Sequence, residues 1–340
     1  MSFLKNCWYM AGWCHEVGDG NVLARRICDI PMVLFREAGR IRCIRDMCPH
    51  RFAPLSRGKL AHGSLTCGYH GLAFNGSGAC VANPHGPITQ QIRVDAYPTI
   101  ERHRILWVWT GDPAMADPSR VPDLTFHDEA PETAISFGYI LSKADYRLYV
   151  DNIMDLSHAD FLHADTLGGG SFVGFQQKVT EEDEKVTARW SKSGVPPSPL
   201  HVKLGSFPAD ALLDRFTEVT WRAPATMILT SAYGPVGVSE KDIAKTLNAN
   251  IMTPETSKSL HYFFSSARTF KTDDVEFNKI YASNRDRIFA TEDAPMLEGV
   301  QERMGDQEFF AMRPLLLKFD EAAVRVRRKL QKMIDAERTS

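Results

Sequence analysis

The sequence predicts an α+β protein of two domains. An N-terminal antiparallel β domain is expected over residues 1–118. A second domain over 119–340 is expected to pack helices on a curved antiparallel sheet, in a helix-grip-like arrangement. Three observations predict this. A chain of 340 residues is too long for one typical core. Short strand-like segments, separated by Gly, Pro and Asn clusters, fill residues 20–110. After "TGDPAMADPSRVPDL", with three prolines and two Asp-Pro steps, the pattern changes to strand-like and helical runs together.

In the first domain, "PMVLF" (31–35), "IRCIRDM" (41–47) and "RILWVWTG" (104–111) have the alternating or β-branched character of strands. Trp107 and Trp109 share one face of the last, which suits core packing. "NGSG" (75–78) signals a hairpin turn. In the second domain "YRLYVDNIMDLSHADFLH" (146–163) reads as helical, and the run Gly168-Gly169-Gly170 after it reads as a mobile loop. Strand-like runs return over 172–270, among them "ATMILTSAYG" (225–234) and "LHYFFSSA" (260–267). Helical spacing resumes over Val275–Met304 and from Asp320 to the end.

The formal net charge is −2, so a basic nucleic-acid footprint is not expected. No apolar run approaches the roughly 20 residues that span a bilayer, and the N-terminal stretch lacks signal-peptide form. Seven cysteines do not form a disulfide framework of even pairs, so a cytoplasmic protein with reduced thiols is expected.

The stretch "CPHRFAPLSRGKLAHGSLTCGYHG" (48–71) carries Cys48-x-His50 and Cys67-x2-His70. Zinc bound by two cysteines and two histidines is one reading, but common zinc turns pair like with like. Here each turn offers one thiol and one imidazole. A Rieske [2Fe–2S] centre needs that mixture, because one iron takes two thiolates and the other two imidazoles. Pro49 stiffens the first turn, and Gly68 and Gly71 allow close backbone approach. The other cysteines, Cys7, Cys14, Cys28, Cys43 and Cys80, suit small buried side chains. No G-x-G-x-x-G fingerprint for a nicotinamide or flavin is present, so electrons must come from another protein.

A second constellation lies in "DNIMDLSHADFLH" (151–163). Asp155 and His158 share a helix face. His158 and His163 are five apart, about 140° off one face of an ideal helix. Convergence on one metal therefore requires the helix to bend, bulge or end there. Two histidines and a carboxylate make the facial set of oxygen-activating non-haem Fe(II). For the carboxylate, the charged run over 275–304 offers Asp286, Glu292, Asp293, Glu298 and Glu302. Arg222, Asn248 and Asn250 are candidates to hold a substrate carboxylate, and His261 to line a pocket.

Together these motifs resemble the oxygenase component of Rieske non-haem iron oxygenases. "NCWYMAGW", "CGYHGL", "LWVWTGDPAMADP", "TPET" and "YFFSSARTF" are similar to the vanillate and dicamba O-demethylase branch, and the likeness covers nearly the whole chain. The resemblance implies that Cys48 and Cys67 bind one cluster iron and His50 and His70 the other. It implies His158 and His163 as ligands of the mononuclear iron. "RIFATEDAPMLE" is similar to the family's Glu-Asp-x-x-Met stretch, which selects Asp293 as the third. It places Asn152 near the iron and makes Asp155 a bridge from His158 to His70 of a neighbouring subunit in a homotrimer. The implied activity is O2-dependent O-demethylation of a methoxylated, vanillate-like aromatic acid. Electrons would come from NAD(P)H through a reductase or ferredoxin. Hydroxylation of a ring or methyl group, N-demethylation, and a Rieske electron carrier without oxygenase activity stay open at this point.

Overall fold

The computed structural model describes residues 3–339 except 169 and 171, so Gly169 of the expected glycine loop lies outside the described residues. The chain divides into two compact units. One is Met1–Asp123 with Thr253–Ser257 and Ile334–Ser340; the other is Leu124–Met252 with Lys258–Met333. The division falls beyond the expected boundary at 118. The proline-rich stretch remains tied to the first unit, because Trp8 Nε1 donates to the Asp117 carbonyl (2.8 Å) and Trp109 Nε1 to that of Asp112 (2.9 Å).

The first unit is built from small antiparallel sheets. Trp8–Trp13, Ile105–Trp109 and Thr99–Arg102 form one, with Ile105–Trp109 in the middle and both Trp107 and Trp109 fully buried. Val22–Ile27, Ile30–Glu37, Arg40–Arg45 and Ala96–Tyr97 form a second. Lys59–Ala61, Ser64–Thr66, Ala73–Phe74 and Cys80–Ala82 form a third, with the Asn75–Gly78 turn closing its expected hairpin through Gly78 N–H to Asn75 O (2.9 Å). Between the last two sheets Val33, Phe35, Ile44, Leu55, Leu65 and Phe74 bury against one another.

The second unit holds a sheet of seven strands among the described residues. Their order is Ile135–Ser142, Ser259–Arg268, Lys245–Thr256, Thr226–Pro235, Leu213–Arg222, Lys185–Val195 and Gln176–Glu182. After Ile135–Ser142 the chain leaves, returns at the far edge, and meanders back to pair Ile135 with Ala267 and Ser142 with Leu260. The helices pack on one face of this sheet. Tyr262 lies 5.0 Å from Tyr149 and 5.5 Å from Phe289, ring to ring, and Phe264 lies 4.8 Å from Phe289. The last helix, Glu321–Thr339, buries Ala322, Ala323, Val326 and Leu330, the helical stripe expected from its sequence. Among the described residues no helix is long and apolar enough to cross a membrane.

Candidate active site

The two Cys-His turns of the first unit share one hydrogen-bond pattern. Cys48 N–H donates to Ala53 O (2.9 Å), and Cys48 O accepts from Phe52 N–H (2.9 Å). Cys67 N–H likewise donates to Leu72 O (2.7 Å), and Cys67 O accepts from Gly71 N–H (3.0 Å). Phe52 and Gly71 complete these turns at positive φ, which suits glycine and strains phenylalanine. Both cysteines sit in the buried cluster of Leu55, Leu65 and Phe74, while His50 is exposed and His70 half-buried. The two imidazoles face each other with centroids 4.4 Å apart. Cys7, Cys43 and Cys80 are buried as expected, Cys14 and Cys28 only partly, and all seven cysteines are unlinked by disulfides.

In the second unit the expected single helix is three pieces. Asp145 caps Tyr146–Met154 through Arg147 N–H (2.9 Å). The helix stops at Asp155, whose backbone is extended (φ −126°, ψ 100°) and whose carboxylate accepts from Ser157 N–H (2.9 Å). A 3₁₀ turn, Leu156–His158, and one α turn, Ala159–Leu162, follow. This interruption removes the 140° divergence: the His158 and His163 rings lie 5.2 Å apart, centre to centre.

The facing helix is interrupted too. Val275–Ile288 passes through a π-turn, Phe289–Asp293, into Ala294–Met304. Pro295 has no N–H for the carbonyl four residues back and its ring crowds that carbonyl, so the preceding turn widens, with Ala294 N–H on Phe289 O. The wide turn presents two adjacent acids to one imidazole. His163 Nδ1 is 2.7 Å from Glu292 Oε2, and its Nε2 is 3.2 Å from Asp293 Oδ1.

His158, His163 and Asp293 bring one ligand atom each within 4.8 Å of one another. His158 Nε2 is 3.7 Å from Asp293 Oδ1, and Asn152 Nδ2 donates to the same oxygen at 2.9 Å. Asp293 is buried, and its Oδ2 has no hydrogen-bond partner among the described residues. Each histidine is held through its other nitrogen: His158 Nδ1 by the Asp155 carbonyl (2.6 Å), His163 Nδ1 by Glu292. Burial lowers the His158 pKa despite Asp293. Burial also acts to lower that of His163, but the hydrogen bonds and charges of Asp293 and Glu292 outweigh it and raise the value.

The expected link from Asp155 to His158 is therefore made by the main-chain carbonyl, while the carboxylate turns forward to cap Ser157 through both N–H and Oγ. Extended backbone at a helix-cap position sends the side chain toward the following turn.

His158, His163, Asp293 and Asn152 line one cavity of about 140 Å³ with Asn248 and Asn250. Asn250 Oδ1 accepts from Tyr262 Oη (2.7 Å), and Asn248 Nδ2 donates to Leu229 O (3.0 Å). Two expected pocket residues do not line it. Arg222 is on the opposite face of Leu213–Arg222 from the lining residues Arg215 and Thr217, because side chains alternate along a strand; it lies 4.0 Å from Glu184. His261 is buried in a hydrogen bond with Tyr139 Oη (2.9 Å), away from the cavity.

Sequence reasoning missed Arg215, His201 and Tyr233 on this wall, and the role of Glu292. A signal for Arg215 existed: it occupies the inward register of Leu213, Val219 and Trp221, where a charge is out of place. His201 and Tyr233 gave no comparable signal.

Residues 7–98 match the Rieske [2Fe-2S] domain, and residues 142–336 the vanillate O-demethylase oxygenase C-terminal domain. The chain is 36% identical to the oxygenase component of dicamba O-demethylase of Stenotrophomonas maltophilia, covering 99% of each chain. It is 35% identical to the oxygenase component of chloroacetanilide N-alkylformylase of Rhizorhabdus wittichii, over 98% of this chain and 97% of that one. The crystal structure of dicamba monooxygenase bound to 3,6-dichlorosalicylic acid superposes with a TM-score of 0.93 at 35% identity, covering both chains fully.

Proposed function

The chain belongs to the Rieske non-haem iron oxygenases of the vanillate O-demethylase type, and on that premise we propose that it removes a methyl group from a methoxylated aromatic acid, releasing a phenol and formaldehyde. Such an oxygenase component works with a Rieske [2Fe–2S] cluster and a mononuclear non-haem iron. When bound, the cluster supplies single electrons and the iron activates O2.

The residues present fit both groups. Two buried thiols beside two outward imidazoles match the asymmetry of a Rieske centre, so Cys48, Cys67, His50 and His70 would hold it. His158, His163 and Asp293 would hold the iron. The observation that carries this reading is the unpartnered, buried Asp293 Oδ2 on the wall of the cavity beside two imidazoles, since an ion there supplies the missing partner.

The side chains have distinct tasks. The Asp155 carbonyl and Glu292 accept the Nδ1 protons of His158 and His163, which leaves the Nε2 lone pairs free for a metal. Asn152 holds Asp293 in orientation. Ile153, Leu156, Leu167, Ile288 and Phe289 line the cavity and keep water from the reacting carbon. In the overall reaction one oxygen atom of O2 enters the methoxy C–H bond and the other leaves as water, with two electrons and two protons consumed. The resulting hemiacetal then loses formaldehyde.

The finer assignments are a NAD(P)H-fed reductase or ferredoxin as electron donor, a homotrimer, and a cytoplasmic location. Asp155 is assigned to the connection between His158 and the cluster of a neighbouring protomer. The carbonyl that holds His158 survives in Asp155→Asn, and Asn caps a turn as well as Asp, so iron content and cluster absorbance are expected to stay, while loss of the carboxylate removes the acceptor assigned to the neighbouring protomer's imidazole and turnover falls to near zero. Normal activity in that variant ends the bridge assignment.

The proposed reaction is tested by supplying Fe(II), a reductase and NADH, then scoring formaldehyde and phenol from a panel of methoxybenzoates. A second reading, N-dealkylation, is favoured by the likeness to the N-alkylformylase component. Turnover of N-alkyl anilides and not of the panel moves the assignment there, whereas formaldehyde-free turnover of the panel moves it to hydroxylation.

A further inference from the structure

Four residues, His201, Ser231, Tyr233 and Thr246, line both the cavity of His158, His163 and Asp293 and a second hollow bounded by Phe207, Phe270 and Lys271. The three metal-ligand candidates line only the first. The four therefore form a partition on the side of the cavity next to that hollow, and each of them carries a polar side-chain atom. Ser231 and Tyr233 are two apart on the strand Thr226–Pro235, so they share one of its faces. The His201 ring packs on that of Tyr233 at 4.6 Å and lies 6.0 Å from that of Phe207.

His201 can offer only one kind of hydrogen bond here. Ser198 is buried, and its Oγ accepts from the His201 backbone N–H (3.4 Å) while standing 2.7 Å from Nδ1. The hydroxyl proton then belongs on the side of Nδ1, since the opposite arrangement leaves a buried O–H without an acceptor. Burial, helped by the charge of Arg215, lowers the His201 pKa to about 4, so the ring is neutral and carries one proton. With Nδ1 accepting, that proton is on Nε2. Nε2 has no hydrogen-bond partner among the described residues, and neither has Tyr233 Oη. Burial raises the Tyr233 pKa to about 12, so its hydroxyl keeps its proton as well. The partition thus presents two neutral donors from packed rings. Asn248 on the same wall differs, because its Nδ2 already donates to Leu229 O (3.0 Å) and Thr246 Oγ1 (3.4 Å). Two donors suit a group that only accepts. An ionised carboxylate is such a group, and hydrogen bonds to it are charge-assisted. An ammonium in the same place would set donor against donor.

We propose that His201 Nε2–H and Tyr233 Oη–H form the subsite that binds the carboxylate of the aromatic acid, leaving its methoxy end to the His158, His163 and Asp293 side of the cavity. This rests on the reading of the substrate as a methoxylated aromatic acid and deepens it by naming the residues that select the acid.

The test measures binding by calorimetry to the iron-loaded holoenzyme, with 4-methoxybenzoate and 4-methoxytoluene as probes. His201→Phe keeps a ring and removes the donor; Tyr233→Phe removes one hydroxyl. Each is expected to weaken benzoate binding about 10- to 100-fold, the loss of one hydrogen bond to a charged group, with 4-methoxytoluene binding unchanged. His201→Gln keeps an N–H donor and is expected to bind benzoate more tightly than His201→Phe. If His201→Phe does not fold, Tyr233→Phe and His201→Gln carry the same comparison. The proposal is overturned if the unaltered protein does not bind benzoate, if either Phe variant binds it unchanged, or if a variant loses both probes equally, which is the mark of a merely structural role. Formaldehyde assays on the same samples separate the two readings. A benzoate-selective loss in the variants, with no formaldehyde from the unaltered enzyme, sinks the demethylase reading and leaves the subsite. Formaldehyde release with benzoate binding unchanged in the variants sinks the subsite alone.

Discussion

The Cys-His cluster of the first unit and the His-His-Asp cluster of the second use similar side chains and assemble them differently. The first comes from two turns within residues 48–71, each closed by its own pair of main-chain hydrogen bonds. Its rim is open, with Phe52 70% and Tyr69 59% exposed. The second joins residues 130 apart in sequence (163 and 293), and both helices that supply them are interrupted at the site. Its carboxylate and one histidine are buried. An exposed rim suits electron exchange with a partner, and a closed cavity suits a reaction that water must not reach. Local turns can build the former. The latter needs a whole domain.

Four substitutions sharpen this contrast, in decreasing order of expected effect. Asp293→Ala removes the only acid in the three-residue cluster. It is expected to abolish turnover and mononuclear iron binding, while the [2Fe–2S] absorbance of the other unit is unchanged. Loss of both together, measured by metal analysis and visible spectra, breaks the picture of two separately built sites. On the other side, His50→Cys exchanges an imidazole for a thiolate in a turn closed by its own main-chain hydrogen bonds. The cluster potential is expected to drop by at least about 100 mV, since imidazole ligation raises it. A redox titration that finds no shift removes His50 from the ligand set.

Glu292→Gln tests support rather than ligation. Gln keeps the size and can still place one oxygen on His163 Nδ1 and Thr166 Oγ1, which share Glu292 Oε2, but it loses the negative charge that supports the imidazole. Iron affinity is expected to fall about 10- to 100-fold, as for other partners of metal-bound histidines, read as iron retained against a chelator. The smallest effect is expected at Gly71. Its φ is +78°, and an added Cβ would stand 3.1 Å from Pro84 Cγ. Gly71→Ala should therefore destabilise the cluster turn by about 1–2 kcal/mol, seen as a melting point lowered by a few degrees with cluster content intact.

Much of the first unit was legible because its information is local. The strands over 30–45 and 105–109, the Asn75–Gly78 turn and the paired Cys-His spacing each depend on neighbours in sequence. The helical character of 146–163 and 275–304 was also legible, and so was the problem posed by two histidines five residues apart. Its solution was not. That Asp155 would stop one helix, and that the other would widen ahead of Pro295, depends on which conformation brings the two segments face to face.

The same limit explains the substrate residues. Asn248 and Asn250 reached the cavity, whereas Arg222 and His261 did not. By itself the sequence determined the chemistry available: which side chains exist, which share a strand or helix face, and which turns close on themselves. Only the tertiary structure decided what each face meets. It placed Arg215 rather than Arg222 on the cavity wall, gave His261 to Tyr139, and set Glu292 and Asp293 on the two nitrogens of His163. The physical reason is that periodicity specifies the direction of a side chain relative to its own backbone, while its partner across the cavity is chosen by packing among segments far apart in the chain.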